Sequence, residues 1–98
     1  MPCSNVSLQI IPMTQDQHVY PIVDAVIRLI HDAGVLYRVG PMETTMEGEL
    51  DVLLDLVKKS TELAVQMGAS RVLAVVKIDY KPEGVTMKEK MASYDQVL

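Results

Sequence analysis

The chain has 98 residues, room for one small domain spanning 1–98 and not two. Nine Lys and Arg against 13 Asp and Glu give a net charge of -4, which argues against a nucleic-acid surface. An apolar share of 49% fits a folded globule, and no apolar run is long enough to cross a bilayer.

The start, Met1-Pro2-Cys3-Ser4-Asn5, has no basic stretch ahead of an apolar one and does not read as a signal peptide. Cys3 is the sole cysteine, so an intramolecular disulfide is impossible and a thiolate metal site within one chain is not expected. These features point to a cytoplasmic protein. With no Phe and no Trp, the core must come from Val, Leu, Ile, Ala and Met.

Val6 to Ile11 alternates as a strand, and Pro12 is expected to stop it. Val19 to Ala33 reads as a helix with a stripe of Val19, Val23, Val26, Ile27 and Ile30, Pro21 in its first turn and Gly34 at its end. Val35 to Val39 is a short strand, Gly40-Pro41 a turn, and Thr44 to Glu49 the next strand. Leu50 to Met67 is the second helix, with Leu50, Leu53, Leu54, Val57, Ala64 and Met67 as its stripe and Gly68 closing it. Arg71 to Tyr80 is the clearest strand, with Val72, Ala74, Val76 and Ile78 on one face. Lys81-Pro82-Glu83-Gly84 is a turn, and Thr86 with Glu89 has capping-box spacing for a helix from Met87 to Ser93.

The order β-α-β-β-α-β, with short connections and right-handed crossovers, predicts an α+β, ferredoxin-like split βαβ sandwich. Its antiparallel sheet has strand order 4-1-3-2, and both helices lie on one face. The other face must then meet water, a ligand or another subunit. If Val6, Leu8 and Ile10 face the helices, Ser7, Gln9 and Ile11 face outward beside Thr45, Glu47, Leu73, Val75 and Lys77. That face is either solvated or covered by a second subunit over a small polar pocket.

Other signals read as structural. His18 and His31 lie near opposite ends of one helix and cannot share a metal within a chain. The seven Met are expected to fill the core. Glu43, Glu47, Glu49 and Asp51 form an acidic run, either a solvated edge or a cation site. Tyr37 offers a ring surface, and alternation puts it with Val35 and Val39 on a side that is either core or pocket. No phosphate-binding, dinucleotide, zinc-protease or nucleophile-elbow pattern occurs, so neither catalysis nor a cofactor is indicated.

The run from Leu36 to Glu49, with Tyr37-Arg38-Val39-Gly40-Pro41-Met42 followed by Thr44-Thr45-Met46-Glu47-Gly48, resembles the signature of the YkoF-like thiamine-binding protein family. Val6-Ser7-Leu8 with Pro12, the Gly34 helix end, and Arg71-Val72 running to Lys77-Ile78-Asp79 extend the resemblance to residues 6–92. The resemblance implies a non-catalytic binder of thiamine or its hydroxymethylpyrimidine part, in salvage or transport. It also implies a homodimer or homotetramer built through the sheet face, while the charge balance and the lengths of the apolar runs argue against a nucleic-acid or membrane partner. Ser7, Tyr37, Thr44, Thr45 and Glu47 match motif positions that would line the site, and Gln9 joins them from the open face. The competing reading is an oligomeric regulatory or interaction domain whose sheet face is a subunit interface and whose ligand is not thiamine.

Overall fold

A computed structural model describes residues 3–94. The strands are β1 (Ser4–Met13), β2 (Leu36–Val39), β3 (Thr44–Gly48) and β4 (Arg71–Asp79), and the helices α1 (Asp16–Asp32), α2 (Leu50–Gln66) and α3 (Met87–Met91). They form one four-stranded sheet in the order β2-β3-β1-β4, with every neighbouring pair antiparallel. This is the ferredoxin-like arrangement expected from the element order.

β1 is longer than its alternation suggests, and Pro12 lies inside it. The reason is positional. The Met13 carbonyl accepts from Ser70 N–H and the Cys3 carbonyl from Val85 N–H, both at 3.0 Å and both from the β4 side. Backbone polar groups alternate sides along a strand, so odd-numbered residues of β1 point toward β4 and even-numbered ones toward β3. β3 pairs only with Ser4 to Leu8. Pro12 therefore turns its missing N–H to a stretch with no partner strand, where proline costs no ladder bond.

α1 begins earlier than Val19, after an extended Gln15 whose carbonyl accepts from His18 N–H at 2.8 Å. Pro21 thus falls inside the helix and beyond its first turn. It is exposed, as is Gln17, whose carbonyl loses its i+4 donor to the ring and is left to water. α2 ends in a Schellman motif, with Gly68 N–H on the Val65 carbonyl at 3.0 Å and Ala69 N–H on that of Ala64 at 3.1 Å. Gly68 stands at φ +109°, which a side chain would strain. α3 is shorter than expected, ending at Met91, but Thr86 caps it by accepting from Glu89 N–H at 3.2 Å.

The core lies between the sheet and the first two helices. Val6, Leu8 and Ile10 of β1 and Met46 of β3 pack against Ile22, Val26 and Ile30 of α1 and Leu53, Leu56 and Ala64 of α2. Both helical stripes are rotated from the sequence expectation. Leu54 and Met67 are exposed while Leu56 and Ser60 are buried, because the face is set by Leu53, Leu56, Ser60 and Ala64 at steps of three and four. Methionine is not uniformly core filler: Met46 is fully buried, but Met13, Met42 and Met67 are exposed.

Candidate functional site

The inward turn of Val6, Leu8, Ile10 and Met46 sends the alternate residues to the open face. The register orders them in rungs. One rung runs Arg38, Thr45, Ser7, Lys77 across β2, β3, β1 and β4. The next runs Leu36, Glu47, Asn5, Asp79. Toward the other end come Gln9 beside Val75 and Ile11 beside Leu73. The face is therefore polar at one end and apolar at the other.

α3 crosses the polar end. Its first residue, Met87, donates its backbone N–H to Glu47 Oε1 at 2.6 Å, and Lys90 pairs with Asp79 on β4. Between α3 and the sheet lies a cavity of about 330 Å³. β1 contributes Asn5 and Ser7 to its floor and β3 Thr45; Lys77 and Asp79 of β4, with Met87 and Met91 of α3, wall it. Glu43, from the tight turn closed by Gly40 N–H on its carbonyl at 2.8 Å, reaches across the face to Lys77 Nζ at 3.0 Å.

Two floor groups lack hydrogen-bond partners. Asn5 is 3% exposed and Ser7 7% exposed, and neither Asn5 Oδ1 nor Ser7 Oγ meets a partner. The amide of Asn5 is oriented by its nitrogen, which donates to the Ser4 carbonyl at 3.1 Å and to Glu47 Oε1 at 3.2 Å. That leaves its oxygen as an acceptor in want of a donor. A buried polar atom left unpaired costs about 1–3 kcal/mol, and two of them on residues that line one cavity suit a ligand with both donors and acceptors.

The expected site residues divide between the two faces. Ser7 and Thr45 line the cavity together. Glu47 borders it through Asn5 and Met87, its Oε1 taken by both. Gln9 shares the face one rung toward the apolar end and lines a separate slot beside α1. Tyr37 and Thr44 lie on the helix side: Tyr37 stands opposite Met46, and its hydroxyl meets His31 Nδ1 at 2.9 Å, while Thr44 stands opposite Leu8. The rings of His31 and Tyr37 meet edge to face, with centroids 5.8 Å apart. Of the acidic run, Glu43 pairs with Lys77 and Glu47 holds Asn5 and Met87. No group of three or more potential metal ligands gathers among the described residues.

Asn5, Arg38 and the α3 residues were not anticipated. Asn5 could have been found, since it sits two residues before Ser7 and shares its face by alternation. The placement of α3 over the sheet has no local sequence signal.

Residues 6–95 match the model of a family described as thiamine-binding protein. A UPF0045 protein of Clostridium perfringens is 55% identical over 94 residues, covering 96% of this chain and 99% of the relative. A UPF0045 protein of Mycobacterium bovis is 33% identical over 96 residues, covering 95% and 92%. A domain of unknown function, DUF77, from Bacillus cereus superimposes with a TM-score of 0.90 at 43% identity, over 97% of this chain and 93% of that one. A Thermotoga maritima protein, described provisionally as one of thiamine biosynthesis or salvage, gives a TM-score of 0.88 at 35% identity, over 95% and 99%. Among the described residues no helix is long and apolar enough to cross a membrane.

Proposed function

The chain belongs to the thiamine-binding protein family, and from that premise we propose that it is a non-catalytic, cytoplasmic binder of thiamine or of its hydroxymethylpyrimidine part, serving salvage or transport. The observation that carries this reading is the pair of unpartnered buried atoms, Asn5 Oδ1 and Ser7 Oγ, on two residues that line the cavity beneath α3. An aminopyrimidine has the complementary groups. Its exocyclic amine donates to the Asn5 oxygen, and a ring nitrogen accepts from the Ser7 hydroxyl. Thr45 supplies a further hydroxyl; the wall carboxylates of Glu43 and Asp79 are each paired with a lysine, so hydrogen bonding at the floor and not charge carries the match. A volume of about 330 Å³ sits at the small end of ligand cavities, roughly 300–1,000 Å³, and matches a compact heterocycle.

The apolar end of the same face supports assembly. Leu73 is 52% and Val75 41% exposed on the open face, and Ile11 lies between them and the hairpin turn. We take this end as the seat of a second subunit, giving a homodimer or homotetramer through the sheet face.

The test is a thermal-unfolding series with thiamine, with hydroxymethylpyrimidine and with buffer alone. Ligand at 100 times its Kd adds about 2.7 kcal/mol, a rise in Tm on the order of 10–20 °C for a domain of this size. The expected shift is lost when Asn5 and Ser7 are replaced together by Ala. No shift at millimolar concentrations of either compound, in folded protein, overturns the thiamine reading and favours an interaction domain with another ligand.

A further inference from the structure

Asn5 and Ser7 both line the cavity, but they are not equally adaptable. The Ser7 hydroxyl carries one donor and two lone pairs, and it rotates to meet either a donor or an acceptor. Its oxygen has no partner to prevent that rotation. An asparagine amide also carries both kinds of group, and it exchanges their positions by turning over. Asn5 is not free to turn.

Its nitrogen is fixed twice. Nδ2 donates to the Ser4 carbonyl at 3.1 Å and to Glu47 Oε1 at 3.2 Å. Turning the amide over would lose both bonds and set Oδ1 against two acceptors, one of them a carboxylate, at a residue only 3% exposed. The Ser4 contact is local, between neighbours in the chain. Glu47 comes from β3, where the register sets it directly opposite Asn5. By the alternation of β1 this is a non-hydrogen-bonded pair, the kind whose side chains lie closest. Glu47 is itself fixed, because the same Oε1 accepts from Met87 N–H at 2.6 Å. The restraint therefore runs from α3 through Glu47 to Asn5, and it leaves Oδ1 as the one hydrogen-bonding atom that Asn5 can offer.

We propose that Glu47 is a positioning residue, and that by holding the Asn5 amide it makes the cavity select an amino-substituted ring over its oxo counterpart. The inference rests on the aminopyrimidine reading given above. In the amino ring the amine donates and the neighbouring ring nitrogen accepts. The oxo ring inverts that pattern: its carbonyl accepts, and the neighbouring nitrogen carries a proton and donates. Ser7 tolerates either. Asn5 takes only the first, because the second would bring a carbonyl against Oδ1 and bury two acceptors without a donor. A site built to bond a donor rejects the analogue that lacks it, so the expected preference is on the order of 100-fold. Glu47 borders the cavity without lining it, and acts through Asn5.

Calorimetric titration of the whole chain with hydroxymethylpyrimidine and with its oxo analogue reads the preference as a ratio of Kd values. Glu47→Ala should shrink that ratio about tenfold, since the freed amide can turn to meet the oxo ring. A merely structural role would weaken both rings alike and leave the ratio unchanged. Glu47→Gln keeps an acceptor in the same place and should keep the ratio. Asn5→Ala removes the acceptor and should bring the ratio to within a few-fold of unity. Where circular dichroism shows that Glu47→Ala is unfolded, Glu47→Met, which keeps the length of the side chain and lacks the acceptor, serves instead. Asn5 is the sole asparagine, so isotope labelling of asparagine nitrogen isolates its side-chain amide in an NMR spectrum. In the ligand-free parent those protons should exchange slowly with solvent, and loss of the Glu47 carboxylate should speed them. Equal affinity of the parent for the two rings, a ratio that survives loss of the acceptor at position 47, or fast exchange of the Asn5 amide in the parent overturns the inference and leaves the aminopyrimidine reading standing. Binding of neither ring by the folded parent overturns that reading, and the inference with it.

Discussion

Replacing Glu47 by Ala should loosen α3 and weaken the whole fold. Glu47 Oε1 accepts from Met87 N–H at 2.6 Å and from Asn5 Nδ2 at 3.2 Å. Met87 is the first residue of α3, so its N–H has no partner within the helix and depends on a carboxylate from β3. Hydrogen bonds to a charged group contribute about 1.5–3 kcal/mol each. Both are part-buried, and Asn5 keeps its bond to the Ser4 carbonyl, so the second bond counts for less. The expected loss is about 2–3 kcal/mol, a large share of a stability near 5–15 kcal/mol. Glu47→Gln keeps the acceptor and loses the charge, and should cost about half as much. Denaturant unfolding measures the loss as a lowered midpoint at unchanged slope. Hydrogen exchange locates it: the amides of Glu89 and Lys90, which bond to Thr86, should lose protection before those of β1. A Glu47→Ala protein within about 0.5 kcal/mol of the parent, with those amides still protected, would refute the account of how α3 is held.

Three further outcomes are expected. Ser7→Ala removes an unpartnered buried hydroxyl, so ligand-free stability should hold or rise by up to about 1 kcal/mol while the ligand-induced shift in Tm shrinks; a clear loss of ligand-free stability would show that the hydroxyl is satisfied. Tyr37→Phe deletes the hydroxyl that meets His31, at a cost of about 1 kcal/mol or less, and should leave the response to thiamine unchanged, because Tyr37 lies on the helix side of the sheet. A weakened response in calorimetric titration would move the site to that side. Lys59 is held above its ordinary value of 10.5 by a hydrogen bond from its ammonium to Asp55 and by the charge of that carboxylate, at 2.8 Å. A raised folded-state value stabilises below the unfolded one, and that stabilisation disappears as pH rises through the folded value. Asp55→Asn should return the Lys59 titration, followed by NMR, toward 10.5, and an unmoved titration would refute the pairing.

The elements themselves were legible because their signals are local. Alternation from Val6 and from Val72 marked the strands, Gly34 and Gly68 marked the helix ends, and Thr86 with Glu89 marked the start of α3. Alternation by itself also puts Ser7, Thr45 and Glu47 on one face, as the register has them. What local signals leave open depends on neighbours. Pro12 reads as a strand terminator until β3 is seen to stop at Leu8's partner. Tyr37 and Thr44 belong to the same motif as Thr45 and Glu47, but a period of two sends adjacent motif residues to opposite faces. Glu47 reads from the sequence as a ligand acceptor, and the structure adds that its Oε1 also accepts from the first N–H of α3.

The sequence alone therefore determined the order of strands and helices, the ferredoxin-like topology and the mixed polar and apolar character of the open face, since each follows from residue spacing along the chain. Only the tertiary structure decided that α3 folds back over that face, that Asn5 and Ser7 are buried beneath it without partners, and that the cavity lies there. The contacts responsible join residues about 40 positions apart, such as Asn5 with Glu47 and Glu47 with Met87. No periodicity encodes a contact of that range; it exists only once the sheet register has brought the strands together.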